Sequence, residues 1–129
     1  MRFGEKIDRA RARNMNPIVL AFVGDAVYSL FVREKAAVTT DAKSGKLSAI
    51  AGQTVSAKSQ ARFVDEHPDV FTEEEEDIFR RARNAKKPSR AKHSTVAEYN
   101  KSTGLEAVFG YLYLVGDTER LDYLLNLGD

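Results

Sequence analysis

Apolar side chains recur at helical spacing along almost the whole chain, and no segment has the strict apolar–polar alternation of a half-buried strand. Helix-capping signals divide this pattern into about six helices. We predict them over residues 17–36, 43–52, 54–66, 73–84, 95–115 and 118–127. The 129 residues are therefore expected to form a single all-α domain, because a chain of this size can bury a core of its own.

Capping residues mark the start of several predicted helices. Asn16 is an N-cap residue followed by a proline in the favoured first helical position. Thr72 and Glu75 have the spacing of a capping box, which predicts a helix that begins at residue 73. Ser94 and Asp117 are the predicted caps of the last two helices.

The composition excludes several kinds of site. Cysteine is absent, which rules out disulfides, thiolate chemistry and cysteine-ligated zinc. With only two histidines, carboxylates are the remaining candidates for metal ligands. The longest apolar tract, residues 18–32, is shorter than the roughly 20 residues of a membrane span, and the charged N-terminus has no signal-peptide core. We therefore expect a cytoplasmic protein with no membrane partner.

The net charge of +1 conceals two adjacent segments of opposite sign. Residues 65–79 hold eight acidic residues and no lysine or arginine, whereas residues 80–92 hold seven basic residues and no acid. A helix dipole explains acids and arginines at opposite ends of residues 72–83. It does not explain the basic loop that we predict over residues 84–94. That loop either contacts phosphates or is simply solvated, and the sequence leaves both interpretations open.

Two acidic residues interrupt otherwise apolar helices. Asp25 lies about two turns inside the first predicted helix, too far from its start to be a cap, and Glu106 occupies a similar position in the fifth. Burying an ionised carboxylate is costly unless it is paired or bound to metal. The residues four positions away on either side of both acids are small: Ala21, Ser29, Ser102 and Gly110. Two helices could approach closely along these small residues.

These two acids have a structural and a functional interpretation. Each could be a buried structural residue that is hydrogen-bonded to a tyrosine or serine. Alternatively, paired carboxylates suit Mg²⁺, which binds one or two of them and keeps water or phosphate oxygens as its other ligands. Together with the basic loop, this pairing suggests metal-dependent hydrolysis of a phosphodiester.

Both acidic segments resemble motifs of the ribonuclease III family. Residues 20–27 (LAFVGDAV) are similar to its signature helix, and residues 105–114 (LEAVFGYLYL) to its second acidic helix. Residues 55–61 (VSAKSQA) and 83–86 (RNAK) narrow the resemblance to the Mini-ribonuclease III branch, which has no double-stranded-RNA-binding domain. Ala21 and Thr103 stand where larger members of the family have two further acids. The Mini-ribonuclease III branch also lacks these two acids.

The resemblance implies a homodimeric endoribonuclease that cuts double-stranded RNA to leave 5′-phosphate ends. It further implies the precursor of large-subunit (23S) ribosomal RNA as substrate, Mg²⁺ as cofactor with Mn²⁺ as a substitute, and ribosomal proteins on the precursor as further candidate partners. The expected ribonuclease III-like domain covers residues 1–129, with residues 1–15 as an N-terminal extension. No separate RNA-binding domain is expected.

Under this resemblance, Asp25 and Glu106 are the predicted catalytic and metal-binding residues, with Thr103 or water in place of the missing acids. The predicted RNA-binding residues are Lys58, Arg83, Asn84, Lys86 and Lys87. Two alternatives stay open. One is a non-catalytic RNA-binding helical domain with the same basic loop, and the other is a protein-interaction module that uses the acidic segment.

Overall fold

The computed structural model describes residues 1–41, 43–87 and 93–128 of the chain. Within these residues the chain forms seven α-helices and no β-strand, which confirms the predicted all-α class. They are α1 (Arg9–Arg13), α2 (Pro17–Thr39), α3 (Ser44–Thr54), α4 (Ala57–Glu66), α5 (Glu73–Asn84), α6 (Val96–Val115) and α7 (Thr118–Asn126). Within that part of the chain, no helix is long and apolar enough to cross a membrane.

The short helix α1 is the element that the predicted set of six lacked. Its five residues alternate arginine and alanine, so they carry no apolar period that could reveal a helix. Ala12 is nevertheless fully buried, and the Ile7 N–H donates to the Leu114 carbonyl at 2.8 Å. Part of the segment predicted as an N-terminal extension therefore packs against α6.

Several predicted boundaries need correction. The cap of α6 is Thr95 rather than Ser94, because Thr95 and Glu98 form a complete capping box. Helix α4 begins three residues later than predicted, since Ser56 caps it by accepting from the Ser59 N–H. Asn84 is still helical, so the basic segment begins after it, and residues 88–92 of that segment lie outside the described residues.

Helix α6 is the centre of the fold. It packs against α1, α2, α4, α5 and α7, and ten of its twenty residues are buried. Its apolar side chains form one continuous core with Leu20 of α2, Ile78 and Phe79 of α5, and Leu124 of α7. A helix surrounded in this way is expected to be largely apolar, so the partly buried carboxyl group of Glu106 stands out among its side chains.

Helices α2 and α6 touch backbone to backbone. A Cβ atom placed on Gly24 would lie 1.6 Å from the Glu106 carbonyl oxygen, and one on Gly110 would lie 1.9 Å from the Leu20 carbonyl oxygen. Only glycine leaves enough space at these two positions. The contact brings the following residue of α2, Asp25, beside Glu106 of α6.

A buried ion pair joins the ends of α5 and α7. Glu75 is 3% exposed, and its carboxylate accepts from the Arg120 guanidinium at 2.8 and 2.9 Å. The same carboxylate completes the predicted capping box with Thr72. Arg120 also donates to the Val70 carbonyl at 2.6 Å, so the pair fixes the loop before α5 as well.

Candidate active site

Asp25 and Glu106 meet at the contact between α2 and α6. Asp25 is exposed, Glu106 is partly buried, and a side-chain hydrogen bond joins the two carboxyl groups. The glycines that flank this contact explain how two acids from separate apolar helices reach one point. The pairing that the sequence could only suggest is therefore present.

The surroundings of Glu106 favour its protonated form. Burial is the main cause, followed by the hydrogen bond with Asp25 and the charge of Asp25, and together they raise the pKa of Glu106 to about 8. The amide of Gln60 lowers the pKa of Glu106, because it donates a hydrogen bond to the ionised carboxylate. In the metal-free protein at neutral pH, Glu106 therefore holds a proton that a bound cation would displace.

The two acids open onto a cavity of about 360 Å³. Its walls come from α2, α4, α6 and the segments around them, and its lining is Ile18, Ala21, Phe22, Asp25, Val55, Ala57, Gln60, Lys87, Tyr99, Ser102, Thr103 and Glu106. Among the described lining residues, two acids, one cation and both polar and apolar side chains thus surround a space large enough for a phosphate group and water. Carboxylates facing such a space are typical of a reactive centre.

Lys87 is the cation among the described residues that line this cavity. Its ammonium group donates to the Ala82 and Arg83 carbonyl oxygens at 2.7 and 2.6 Å, at the C-terminal end of α5, where the helix dipole favours positive charge. Burial, followed by the charge of Arg83, lowers the pKa of Lys87. The lysine is therefore held at the wall of the cavity rather than extended into solvent.

The donor set fits a Mg²⁺ ion. Two adjacent carboxylates in an open, water-accessible cavity are the protein ligands that this ion commonly uses, with water or phosphate oxygens completing its shell. Within the described part of the chain, no third acidic or histidine side chain joins them to make a larger cluster. The cavity wall includes Ala21 and Thr103, the two positions at which larger ribonuclease III proteins carry additional acids.

The predicted RNA-binding residues are spread over more than one surface. Lys87 lines the acidic cavity, whereas Lys58 lines a separate surface hollow together with Asp65 and Glu98. Arg83 lies over the Phe79 ring at 5.6 Å and donates to the Asn84 side chain, and Lys86 is exposed nearby. The sequence analysis did not name Gln60, which lies in the cavity wall and donates to Glu106.

Residues 18–117 match the family model described as Ribonuclease III domain. The chain belongs to the ribonuclease III family. It is 44% identical to the Mini-ribonuclease 3 of Staphylococcus aureus over 87% of this chain and 85% of that protein. It is 42% identical to the Mini-ribonuclease 3 of Thermoanaerobacter sp. over 95% and 87% of the two chains. These similarities confirm the resemblance seen in the sequence.

The fold of this ribonuclease III-family chain also matches a solved structure. A crystal structure of a protein from Fusobacterium nucleatum superposes with a TM-score of 0.79 at 30% identity, covering 89% of this chain and 92% of that one. Membership of the family makes the chain an endoribonuclease that acts on RNA. Its cavity, with two acids from α2 and α6, is the candidate site of that activity.

Proposed function

We propose that this ribonuclease III-family chain cleaves double-stranded RNA in a Mg²⁺-dependent reaction at the cavity of Asp25 and Glu106. The observation that carries the proposal is the direct approach of these two carboxyl groups in an open cavity beside Lys87. A purely structural pair of acids is expected to have its charge matched by closely paired basic residues, because burying an unpaired carboxylate is costly. This pair instead faces a space that admits water and phosphate.

Three residues of the cavity have proposed roles in the reaction. Asp25 and Glu106 would hold the cation, which when bound supplies positive charge to the phosphate and lowers the pKa of water. Lys87, fixed by the carbonyl oxygens at the end of α5, would contact a non-bridging phosphate oxygen. Glu106 must release its proton for this arrangement, because a protonated carboxyl group is a poor ligand for Mg²⁺.

The RNA surface would extend from the cavity along the basic residues nearby. Arg83, Asn84 and Lys86 lie close to Lys87 in the chain, and we propose that they contact the phosphate backbone. Lys58 lies in a different hollow and would contact RNA only at a distance from the cut. Duplex RNA displays its backbone and 2′-hydroxyls along a shallow minor groove, so recognition would depend mainly on shape.

We further propose that two copies act together. One cavity can cut one strand, and a twofold dimer would place two cavities on opposite strands of a duplex. The exposed side of α2 favours this arrangement, since Phe22 is 79% exposed, Leu30 is 56% exposed and Val19 lies on the same side. Large apolar side chains in a row on one helix face are typical of a surface that a partner covers.

The proposed substrate, from the resemblance to Mini-ribonuclease III, is the precursor of 23S ribosomal RNA in the cytoplasm. A test compares cleavage of a base-paired precursor stem with cleavage of an unrelated duplex of the same length. Faster cleavage of the precursor stem, at the same RNA affinity, would support the assignment. Equal rates on both duplexes would contradict it.

The activity itself is tested with end-labelled duplex RNA, Mg²⁺, and the wild-type and Asp25→Asn proteins. We expect cleavage by the wild type only when a divalent cation is present, and RNA binding without cleavage by Asp25→Asn. Binding with no cleavage by the wild type under any divalent cation would instead favour a non-catalytic RNA-binding domain. Absence of RNA binding even at low salt would favour the protein-interaction alternative.

A further inference from the structure

Gln60, near the start of α4, is a polar side chain almost completely enclosed by protein, with an exposure of 1%. Its Nε2 donates to the Val55 carbonyl oxygen at 2.8 Å and to Glu106 Oε2 at 3.3 Å. Both partners are acceptors, so the amide nitrogen must face them and the orientation of the side chain is fixed. Gln60 therefore ties the corner between α3 and α4 to an acid of the candidate active site.

The other end of the same amide has no partner. Gln60 Oε1 is buried, and no donor within the described residues lies within hydrogen-bonding distance of it. A buried acceptor without a donor lowers stability, and an apolar side chain of similar length would avoid this cost. Stability alone therefore does not account for a glutamine at this position.

The donor end acts on one specific atom. Within the described residues, Gln60 supplies the only amide or hydroxyl hydrogen bond to the Glu106 carboxylate. The Val55 carbonyl oxygen restrains the amide from the other side, and Ser56 caps α4 immediately before it. An amide held in this way fixes the rotation of the carboxylate that it contacts.

We propose that Gln60 is a positioning residue, whose amide holds the Glu106 carboxylate in the orientation in which Glu106 and Asp25 share a divalent cation. The inference rests on the proposed function and extends it to a residue outside the acid pair. A partner that orients a ligating carboxylate in other metal sites affects metal affinity by about 10–100-fold. Gln60 itself does not touch the reacting atoms in this assignment.

The test measures Mn²⁺ binding by the loss of the free Mn²⁺ signal in electron paramagnetic resonance. The proteins are the wild type, Asp25→Asn, Gln60→Met and Ser102→Ala. Methionine keeps the length of the side chain but cannot donate. Ser102 lines the same cavity and is buried, but its hydroxyl donates to the Tyr99 carbonyl oxygen, so it is a matched control.

We expect Gln60→Met to bind Mn²⁺ about 10–100-fold more weakly than the wild type, with a lower kcat, an unchanged KM and a melting temperature close to the wild-type value. Ser102→Ala should bind Mn²⁺ as the wild type does. Wild-type Mn²⁺ affinity and kcat in folded Gln60→Met would overturn the inference. Failure of the wild type to bind Mn²⁺ would instead overturn the proposed function and, with it, the role of Gln60.

A second measurement needs no substitution at Gln60. The side-chain amide signals of the wild-type protein are followed by nuclear magnetic resonance during a Mg²⁺ titration. The Gln60 signal should shift, whereas the signal of Asn126, which donates to the Asp122 carboxylate in α7, should stay constant. A Gln60 signal that stays constant while the backbone amide signal of Asp25 shifts with Mg²⁺ would overturn the inference even if Gln60→Met does not fold.

Discussion

Two carboxylates in contact repel each other when both are ionised, and this chain carries such a pair where α2 meets α6. A proton on Glu106 partly relieves this repulsion. Burial and the neighbouring Asp25 raise the pKa of Glu106 to about 8. Sites of this kind reduce the stability of a metal-free protein and increase its gain on binding a cation. The stability of the fold should therefore depend measurably on pH and on metal binding through this pair of residues.

The first prediction concerns the pH dependence of stability in a chelating buffer. The pKa of Glu106 is raised from 4.5 to about 8 in the folded protein, so its favourable contribution is complete below pH 4.5 and is lost as pH rises through 8. The free energy of unfolding of the wild type should therefore fall relative to Glu106→Gln across this range. The difference should be at most a few kcal/mol, because one pKa unit corresponds to about 1.4 kcal/mol and partial exposure reduces the effect.

Urea unfolding at several pH values checks this prediction. Glu106→Gln has no proton to release at this position, so the two curves should separate between pH 4.5 and 8 and run parallel above it. Curves that stay parallel from pH 4.5 upward would show that Glu106 titrates normally in the folded protein. Added Mg²⁺ should stabilise only the wild type.

The sequence pointed to Asp25 and Glu106 because an acid in an apolar helix conflicts with its neighbours. It did not point to Gln60, since a single glutamine in an amphipathic helix looks like any surface residue. Only the packing of α4 against α6 brings the Gln60 amide to the acid. Contacts between distant segments of this kind leave no local signal.

At the scale of helices, the site depends on the close contact between α2 and α6. Gly24 and Gly110 allow backbone atoms of the two helices to touch, and this contact brings Asp25 beside Glu106. The glycines thus shape the candidate active site without carrying chemistry. A side chain at either position would force the helices, and therefore the carboxylates, apart.

The second prediction tests this contact by Gly24→Ala. The added methyl group would collide with the Glu106 backbone, and we expect a loss of about 1–3 kcal/mol in the free energy of unfolding and a loss of cleavage. Gly52→Ala in α3 is the matched control, because no atom beyond its own turn of helix backbone lies within 4 Å of the added carbon. The control should gain roughly 0.5–1 kcal/mol from helix propensity. Equal effects of both changes in thermal melts would contradict the account.

The third prediction concerns the ion pair between α5 and α7. Removing the guanidinium in Arg120→Met leaves the Glu75 carboxylate buried without its charged partner, which should cost about 3–5 kcal/mol. Arg80→Met breaks an exposed pair with Asp77 and should cost less than about 1 kcal/mol. Chemical denaturation checks both values. A similar, small cost for the two variants would show that the buried pair adds little.

Local signals predicted most elements but not all of their ends. The spacing of Thr95 and Glu98 is the same capping signal that correctly placed the start of α5, and it would have identified the cap of α6. No such signal exists for α1, which is held against the rest of the fold by the buried Ala12 and by contacts of its arginines with acids of α5 such as Glu74. Tertiary contacts therefore determine the structure of segments that carry no local sequence signal.

At the scale of the whole molecule, the acidic and basic segments seen in the sequence have different roles. Acids of α5 pair with arginines of α1 and α5 itself, so much of the acidic segment is taken up within the fold. Lys87, which follows α5, lines the wall of the cavity that holds Asp25 and Glu106. The near-neutral total charge therefore does not argue against a polyanionic substrate.

The fourth prediction concerns assembly. The apolar face of α2 should be covered in a homodimer, so Leu30→Glu should convert the dimer to a monomer at micromolar concentration. Tyr123→Glu makes a similar change on the exposed surface of α7 and should leave the dimer intact. Light scattering after size exclusion measures both. A wild-type monomer, or a dimer that Leu30→Glu leaves unaffected, would contradict this arrangement.

The central claim is that Asp25 and Glu106 act as one metal-dependent unit, and a double-mutant cycle tests it most directly. The value of kcat/KM for duplex RNA is measured for the wild type, Asp25→Asn, Glu106→Gln and the double variant. We predict that each single change lowers kcat/KM about 10³-fold. The double variant should have a kcat/KM no lower than that of the less active single variant. Losses that multiply in the double variant, or wild-type cleavage by either single variant, would contradict the account.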